Sequence, residues 1–240
     1  MNLLALDSST DILSIAVARS GQRWLHSGAG GAQASSQLLP AIRTLMDEAG
    51  LSFDALDAIV FGRGPGSFTG LRTACAISQG LAFAARKGQG VPVLPVDTLM
   101  AVAEEARNQH GVNQVMVCMD ARMDEVYNAP YQYTNGQWQA QADLAVCPPQ
   151  NIQVPAGFVV VGNAHAAYGE RLAPAAQHLH AMPTANALLN LAPALLAQGL
   201  AVAAKDALPL YIRDKVAKTT AEREAEKAAQ AAALAATQQA

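Results

Sequence analysis

The sequence predicts an α/β protein of two lobes built to one plan, and three observations carry that prediction. A strand–turn–strand unit with an aspartate closing its first strand occurs twice, in "LLALDSSTDILSIAVAR" from Leu3 and in "VMVCMDARMDEVYNAPYQY" from Val115. Helix-period segments follow strand-like runs in alternation, the pattern of an α/β architecture. A glycine-rich corner, "FGRGPGSFTGLR", joins one such strand to a long helix. The boundaries expected are an N-terminal lobe over 1–100, a C-terminal lobe over 101–213 and an Ala-, Glu- and Lys-rich tail over 214–240. With 240 residues, 51% of them hydrophobic, the chain is long enough to give both lobes real cores.

The elements are justified in chain order. Leu13, Ile15 and Val17 alternate with Ser14, Ala16 and Ala18, the period of a strand. "SGQ" then turns the chain into a third strand near 23–27. A helix is expected over 35–49, with Leu38, Leu39, Ile42, Leu45, Met46 and Ala49 on one stripe and Gly50 to stop it. "LDAIVFG" reads as a short buried strand, and the segment after the glycine corner as a helix capped by Ser67 or Thr69. "VPVLPVDTLMAVAEEARNQ" supplies a strand and a helix capped by Asp97 or Thr98. In the repeat, Asn135-Gly136 is a hairpin turn signal. "FVVVGNAHAAYGERL" is strand, loop and helix, and Pro193 is expected to kink the helix of "TANALLNLAPALLAQG". The tail has helix propensity with almost nothing large and apolar to bury, so a solvated helix or frayed end is expected there.

Composition narrows the function. Net charge is −3 and no stripe of Lys and Arg appears, so any contact with nucleic acid would depend on a partner. Cys75, Cys118 and Cys147 are odd in number and scattered, which fits a reducing cytoplasm better than a disulfide framework. The N-terminus lacks the basic lead of a signal peptide, and no apolar run reaches the roughly 18 residues of a membrane span.

The glycine corner fails as a phosphate motif. No lysine lies in it, and the glycine spacing fits neither the Walker loop nor the dinucleotide fingerprint. A strand-to-helix corner with close backbone approach is what remains. The helix behind it is apolar nearly all round, with Leu71, Ala74, Cys75, Ser78, Ala82 and Ala85 on one side and Ala76, Ile77, Gly80, Phe83 and Ala84 on the other. Such a helix is a core helix, or one that meets its own sheet on one face and a partner on the other.

Chemistry is sparse. Asp7 and Asp120 each end the first strand of a repeat, where a carboxylate can hold a hydrated magnesium beside nucleotide phosphates, with Ser9 and Thr10 offering hydroxyls. Asp and Ser also favour any tight turn, and both readings stand. The histidines form no HExxH pair, and the nucleophile elbow Gly-x-Ser-x-Gly does not occur.

Longer motifs are more specific. "GRGPGSFTGLR" followed by "ISQGLAFA", with "LALDSST", "SSQLLP", "DARMDEVY" and "PLYIRDKVA" in order, resembles the TsaB family, also called YeaZ, from about Asn2 to Ala217. The resemblance implies the ASKHA fold shared by sugar kinases, the Hsp70 chaperone ATPase domain and actin, each lobe ribonuclease-H-like. It implies a part in making N6-threonylcarbamoyladenosine (t6A) at the adenosine just 3′ of the anticodon in tRNA. There a separate enzyme makes threonylcarbamoyl-adenylate from threonine, bicarbonate and ATP, and the metal-bearing paralogue TsaD transfers the group. The family member pairs with TsaD through N-lobe helices, is joined by the ATPase TsaE, self-pairs through the same surface, and meets tRNA only through the complex. Carried onto this chain, the partner surface would comprise Ser36, Leu39, Arg43, Gly66, Leu71, Arg72, Ala74, Cys75, Ser78 and Ala82. The two metal-binding histidines of TsaD have no counterpart in "ASSQLLPAIR". Ser35 replaces a histidine common in relatives, and Asn128 an aromatic residue. A non-catalytic, metal-free subunit is therefore expected, with no tightly bound cofactor and at most a weakly held magnesium nucleotide. The rival readings are an independent ATP-dependent phosphotransferase of the same fold, and a metallopeptidase, as an old family label has it.

Overall fold

In a computed structural model that describes residues 1–31 and 34–213, two mixed sheets carry the chain. The first begins with β1 (Leu3–Asp7), β2 (Ile12–Arg19) and β3 (Gln22–Ala29), an antiparallel meander. α1 (Ala34–Glu48) follows and ends where Gly50 takes a φ of +57°. β4 (Ala58–Gly64) joins β1 in parallel, α2 (Phe68–Ala84) leaves the glycine corner, and β5 (Val93–Asp97) pairs with β4. The order is β3-β2-β1-β4-β5. α3 (Thr98–His110) then leads into β6 (Gln114–Asp120), β7 (Val126–Thr134) and β8 (Gln137–Ala140). Asn135 and Gly136, at φ +52° and +79°, form the left-handed turn between β7 and β8 that the "NG" pair predicts.

Here the two halves differ. After β8 the chain makes β9 (Ala145–Cys147), which pairs with β7, and a 3-10 turn at Pro149–Asn151, where the first half has α1. The expected βββα unit thus repeats in its strands and not in its helix. β10 (Val159–Gly162), α4 (Ala164–Tyr168), β11 (His178–His180) and α5 (Ala185–Ala197) complete the second half. Read from β8, the second sheet runs β8-β7-β6-β10-β11, strand for strand the order of the first.

One cluster of buried side chains spans both sheets. Ala5, Val60 and Leu94 of the first share it with Val117, Ala129 and Val161 of the second, and Leu99, Val102 and Leu188 of α3 and α5 lie between them. α5 packs across β1, β2, β4 and β5, whereas α3 also touches β6, β7 and β10. Met1–Leu210 is accordingly one compact unit. Pro193 lies inside α5, which continues to Ala197. The helix or frayed end expected over 214–240 lies outside the described residues. Among the described residues no helix is long and apolar enough to cross a membrane.

Two capping expectations are corrected. Ser67 and Asp97 occupy the cap positions of α2 and α3, yet neither side chain bonds its helix. The Ser67 backbone N–H donates to the Ser9 carbonyl at 2.7 Å, and the Asp97 carboxylate accepts from Arg63 Nε at 2.6 Å. The Ser67 backbone and the Asp97 side chain serve tertiary joints that a local rule does not see.

Candidate functional site

The glycine corner exists to let two backbones touch. A Cβ on Gly70 would lie 1.7 Å from the Ser8 carbonyl oxygen, and one on Gly62 would lie 1.8 Å from Asp7 Oδ2. At Gly66 the same atom would come within 2.4 Å of the Ser9 carbonyl oxygen. None of these spaces admits a side chain. The contact is sealed by Ser8 Oγ, which donates to the Gly70 carbonyl at 2.8 Å, and by the Ser67 N–H on Ser9. The turn after β1 is thereby plugged by the start of α2.

That plug sets the surroundings of Asp7. Asp7, Ser8 and Ser9 are buried, and Thr10 is half-buried. Asp7 Oδ1 accepts the Ser9 N–H at 2.9 Å and the Ser9 hydroxyl at 2.7 Å, while Oδ2 is buried without a partner. Burial pushes the Asp7 carboxyl above its ordinary range, and the two Ser9 hydrogen bonds oppose that rise. Thr10 is turned to its own loop, its hydroxyl bonded to Ile12. These residues do not fit a hydrated magnesium beside phosphates, which needs an ionised carboxylate open to water. Asp120 is likewise engaged: Oδ1 accepts the Tyr168 hydroxyl at 2.7 Å and the Arg122 N–H at 2.8 Å, and Arg122 Nη1 stands 3.1 Å from Oδ2. Among the described residues no group of three or more His, Cys, Asp or Glu side chains could hold a metal ion.

The same corner aims α2, and the direction corrects the docking strip. Leu71, Ala74, Cys75, Ser78 and Ala82 are all buried within the chain. They face β4 and the segment around Ala207, whose carbonyl accepts from Cys75 Sγ at 3.1 Å and Gln79 Nε2 at 2.8 Å. The small side chains allow α2 to lie close on its own sheet, so a partner cannot reach them. Gly66, half-buried, belongs to the corner. The outward stripe is Arg72, Ala76, Gly80 and Phe83, flanked by Phe68 and half-buried Ile77. Phe68 is 44% exposed and Phe83 71%. The Arg72 guanidinium lies 3.8 Å over the Phe68 ring. α1 packs beside α2 and turns Ser36, Leu39 and Arg43 to the outside, with Leu39 42% exposed. Arg72, expected on the partner surface, is on this outward stripe, where a lone arginine on an apolar helix marks the side that is not core.

Comparison with known proteins fits this geometry. Residues 22–238 match the family model described as TsaD, tRNA N6-adenosine threonylcarbamoyltransferase. The tRNA threonylcarbamoyladenosine biosynthesis protein TsaB of Escherichia coli K12 is 33% identical over 90% of this chain and 96% of its own length. That of Haemophilus influenzae is 33% identical over 90% and 95%. The solved structure of YeaZ from Pseudomonas aeruginosa is 41% identical and superposes with a TM-score of 0.81 over 88% of this chain and 99% of that one. The mixed two-sheet fold and the similarity over most of each relative's length agree. The chain belongs to the TsaB (YeaZ) branch of the TsaD family.

Proposed function

We propose that this chain is the non-catalytic subunit of a bacterial t6A-forming complex, docking a TsaD-type partner through the outward faces of α1 and α2. The observation that carries the proposal is the apolar stripe on α2, Phe68, Ala76, Ile77 and Phe83, on a helix whose opposite face is already satisfied by its own sheet. Two adjacent helices supply the roughly 800 Å² per partner of a standard interface. An ASKHA architecture with ribonuclease-H-like lobes divided near residue 100 suits the matching strand orders of the two sheets. A second copy of the chain competes for the same face, TsaE joins the pair, tRNA is gripped by the assembly, and the setting is the cytoplasm. The closed surroundings of Asp7 favour this reading over an independent phosphotransferase.

The test is reconstitution with purified partners. Leaving this chain out should abolish t6A formation, and undiminished product would refute the proposal. Ala76→Arg and Gly80→Arg locate the surface, since a Cβ at Gly80 meets nothing within 4 Å. Each should leave the melting temperature no lower and weaken TsaD binding by about 100-fold or more, the effect of burying an unpaired guanidinium. Persisting co-elution of both variants would place the partner elsewhere.

A further inference from the structure

A chain of polar side chains links the edge of one sheet to the edge of the other. Arg23 on β3 donates through Nη1 to Asn186 Oδ1 at 2.6 Å and to Asn190 Oδ1 at 2.7 Å, both on α5. Asn190 Nδ2 donates in turn to Glu104 Oε1 at 2.9 Å and to Asn108 Oδ1 at 3.2 Å, both on α3. Glu104 Oε2 accepts from Trp138 Nε1 on β8 at 2.9 Å. Arg107 closes the carboxylate, with Nε 3.1 Å from Oε2 and Nη2 3.2 Å from Oε1. Its guanidinium covers the Tyr133 ring at 4.2 Å, and that ring meets Trp138 edge-on with centroids 5.3 Å apart. The ends of the path, β3 and β8, hold equivalent places in the two sheets.

A second rung lies beside it. Ser14 on β2 accepts the Ala185 N–H at 2.8 Å, and Thr184 donates to Glu105 Oε2 at 2.6 Å. Gln109 holds Oε1 of Glu105 at 2.7 Å.

We infer that Glu104 is the bolt fixing the two sheets in one relative orientation, so that the chain displays its outer helices on a rigid body and does not open about its middle. Glu104 is 2% exposed, and its two oxygens take four hydrogen bonds from three side chains on three different elements. A hinge motion that separates β8 from α3 removes the Trp138 donor. A slide of α5 along α3 removes Asn190 and, through it, Arg23. Either leaves a buried carboxylate short of donors, which the interior resists strongly. Apolar packing between α3 and α5 alone would allow such slippage, because dispersion contacts are not directional.

The test is a distance measurement on the folded full-length chain. Nitroxides at Ser27→Cys on β3 and Gln139→Cys on β8, both exposed positions, are read by pulsed electron resonance in a Cys147→Ser background, the other cysteines being buried. The chain with Glu104 intact should give one narrow distribution. Glu104→Gln keeps the shape but points an amide donor at Trp138 or Arg107. It should broaden the distribution and speed amide exchange in α3 and α5 by roughly tenfold or more, the worth of a hydrogen bond to a charged group. A broad distribution with Glu104 intact, or one left equally narrow by Glu104→Gln, overturns the inference. Should Glu104→Gln not fold, Asn190→Ala, which removes the half-buried link between Arg23 and Glu104, is read by the same criteria. Partner binding is not a readout, so this result stands apart from that of the proposed function.

Discussion

At the scale of the residue, the joint between Asp7, Ser8 and the glycine corner governs most of what the N-terminal half can and cannot do. Gly70→Ala and Gly62→Ala each drive a methyl group into occupied space, against a carbonyl and a carboxylate respectively. Each should cost about 4 kcal/mol or more in chemical denaturation. Gly80→Ala is the control: its Cβ enters open space on the same helix, and it should stabilise the chain by about 0.5–1 kcal/mol through helix propensity. Asp7 makes a pH prediction. Its folded carboxyl is raised above the unfolded value, chiefly by desolvation, so the protonated form is favoured by folding. The contribution is complete below the unfolded pKa of about 3.9 and fades as pH rises through the folded value. Melting temperature should therefore fall, through this group, as pH rises above the unfolded value, and Asp7→Asn should flatten that part of the curve. A wild-type profile unchanged by the substitution would show that Asp7 is ionised throughout.

At the scale of the element, α2 shows how much could be read from residue order. Its existence, its length and the corner before it follow from the apolar period and the glycines. Which face is interior does not, because Ala74, Ser78 and Ala82 suit a close helix–helix contact and a close helix–sheet contact equally. The hairpins were legible for a simple reason: Asn135-Gly136 and the alternation of Leu13, Ile15 and Val17 act over a few residues. The polar seam was not. In "AVAEEARNQ" Glu104 looks like a solvated charge on a helix, and its partners Trp138 and Asn190 lie 34 and 86 residues away. The plug on Asp7 was hidden likewise, since Gly62 and Gly70 meet a turn more than fifty residues earlier. Trp138→Phe tests the value of that seam. It keeps the ring packed on Tyr133 while removing one donor from Glu104, and should cost about 1–3 kcal/mol of stability.

At the scale of the whole molecule, topology and folding unit part company. The two sheets repeat one strand order, yet α5 from the end of the described chain covers β1, β2, β4 and β5 at its beginning, and one apolar cluster runs through both. We propose that the lobe boundary near residue 100 divides the architecture without dividing the fold. A fragment of residues 1–110 should lack cooperative unfolding by circular dichroism and regain it when residues 111–213 are supplied in trans. Independent folding of the fragment would show that the first sheet closes its own core. The late arrival of α5 also matters while the protein is being made. β5 leaves the ribosome roughly a hundred residues before α5 does, about 5–20 s at ordinary elongation rates. For that interval the nascent first sheet shows water the apolar surface that Leu188 and its neighbours will later cover, so translation of this chain includes a window in which a holdase has something to hold.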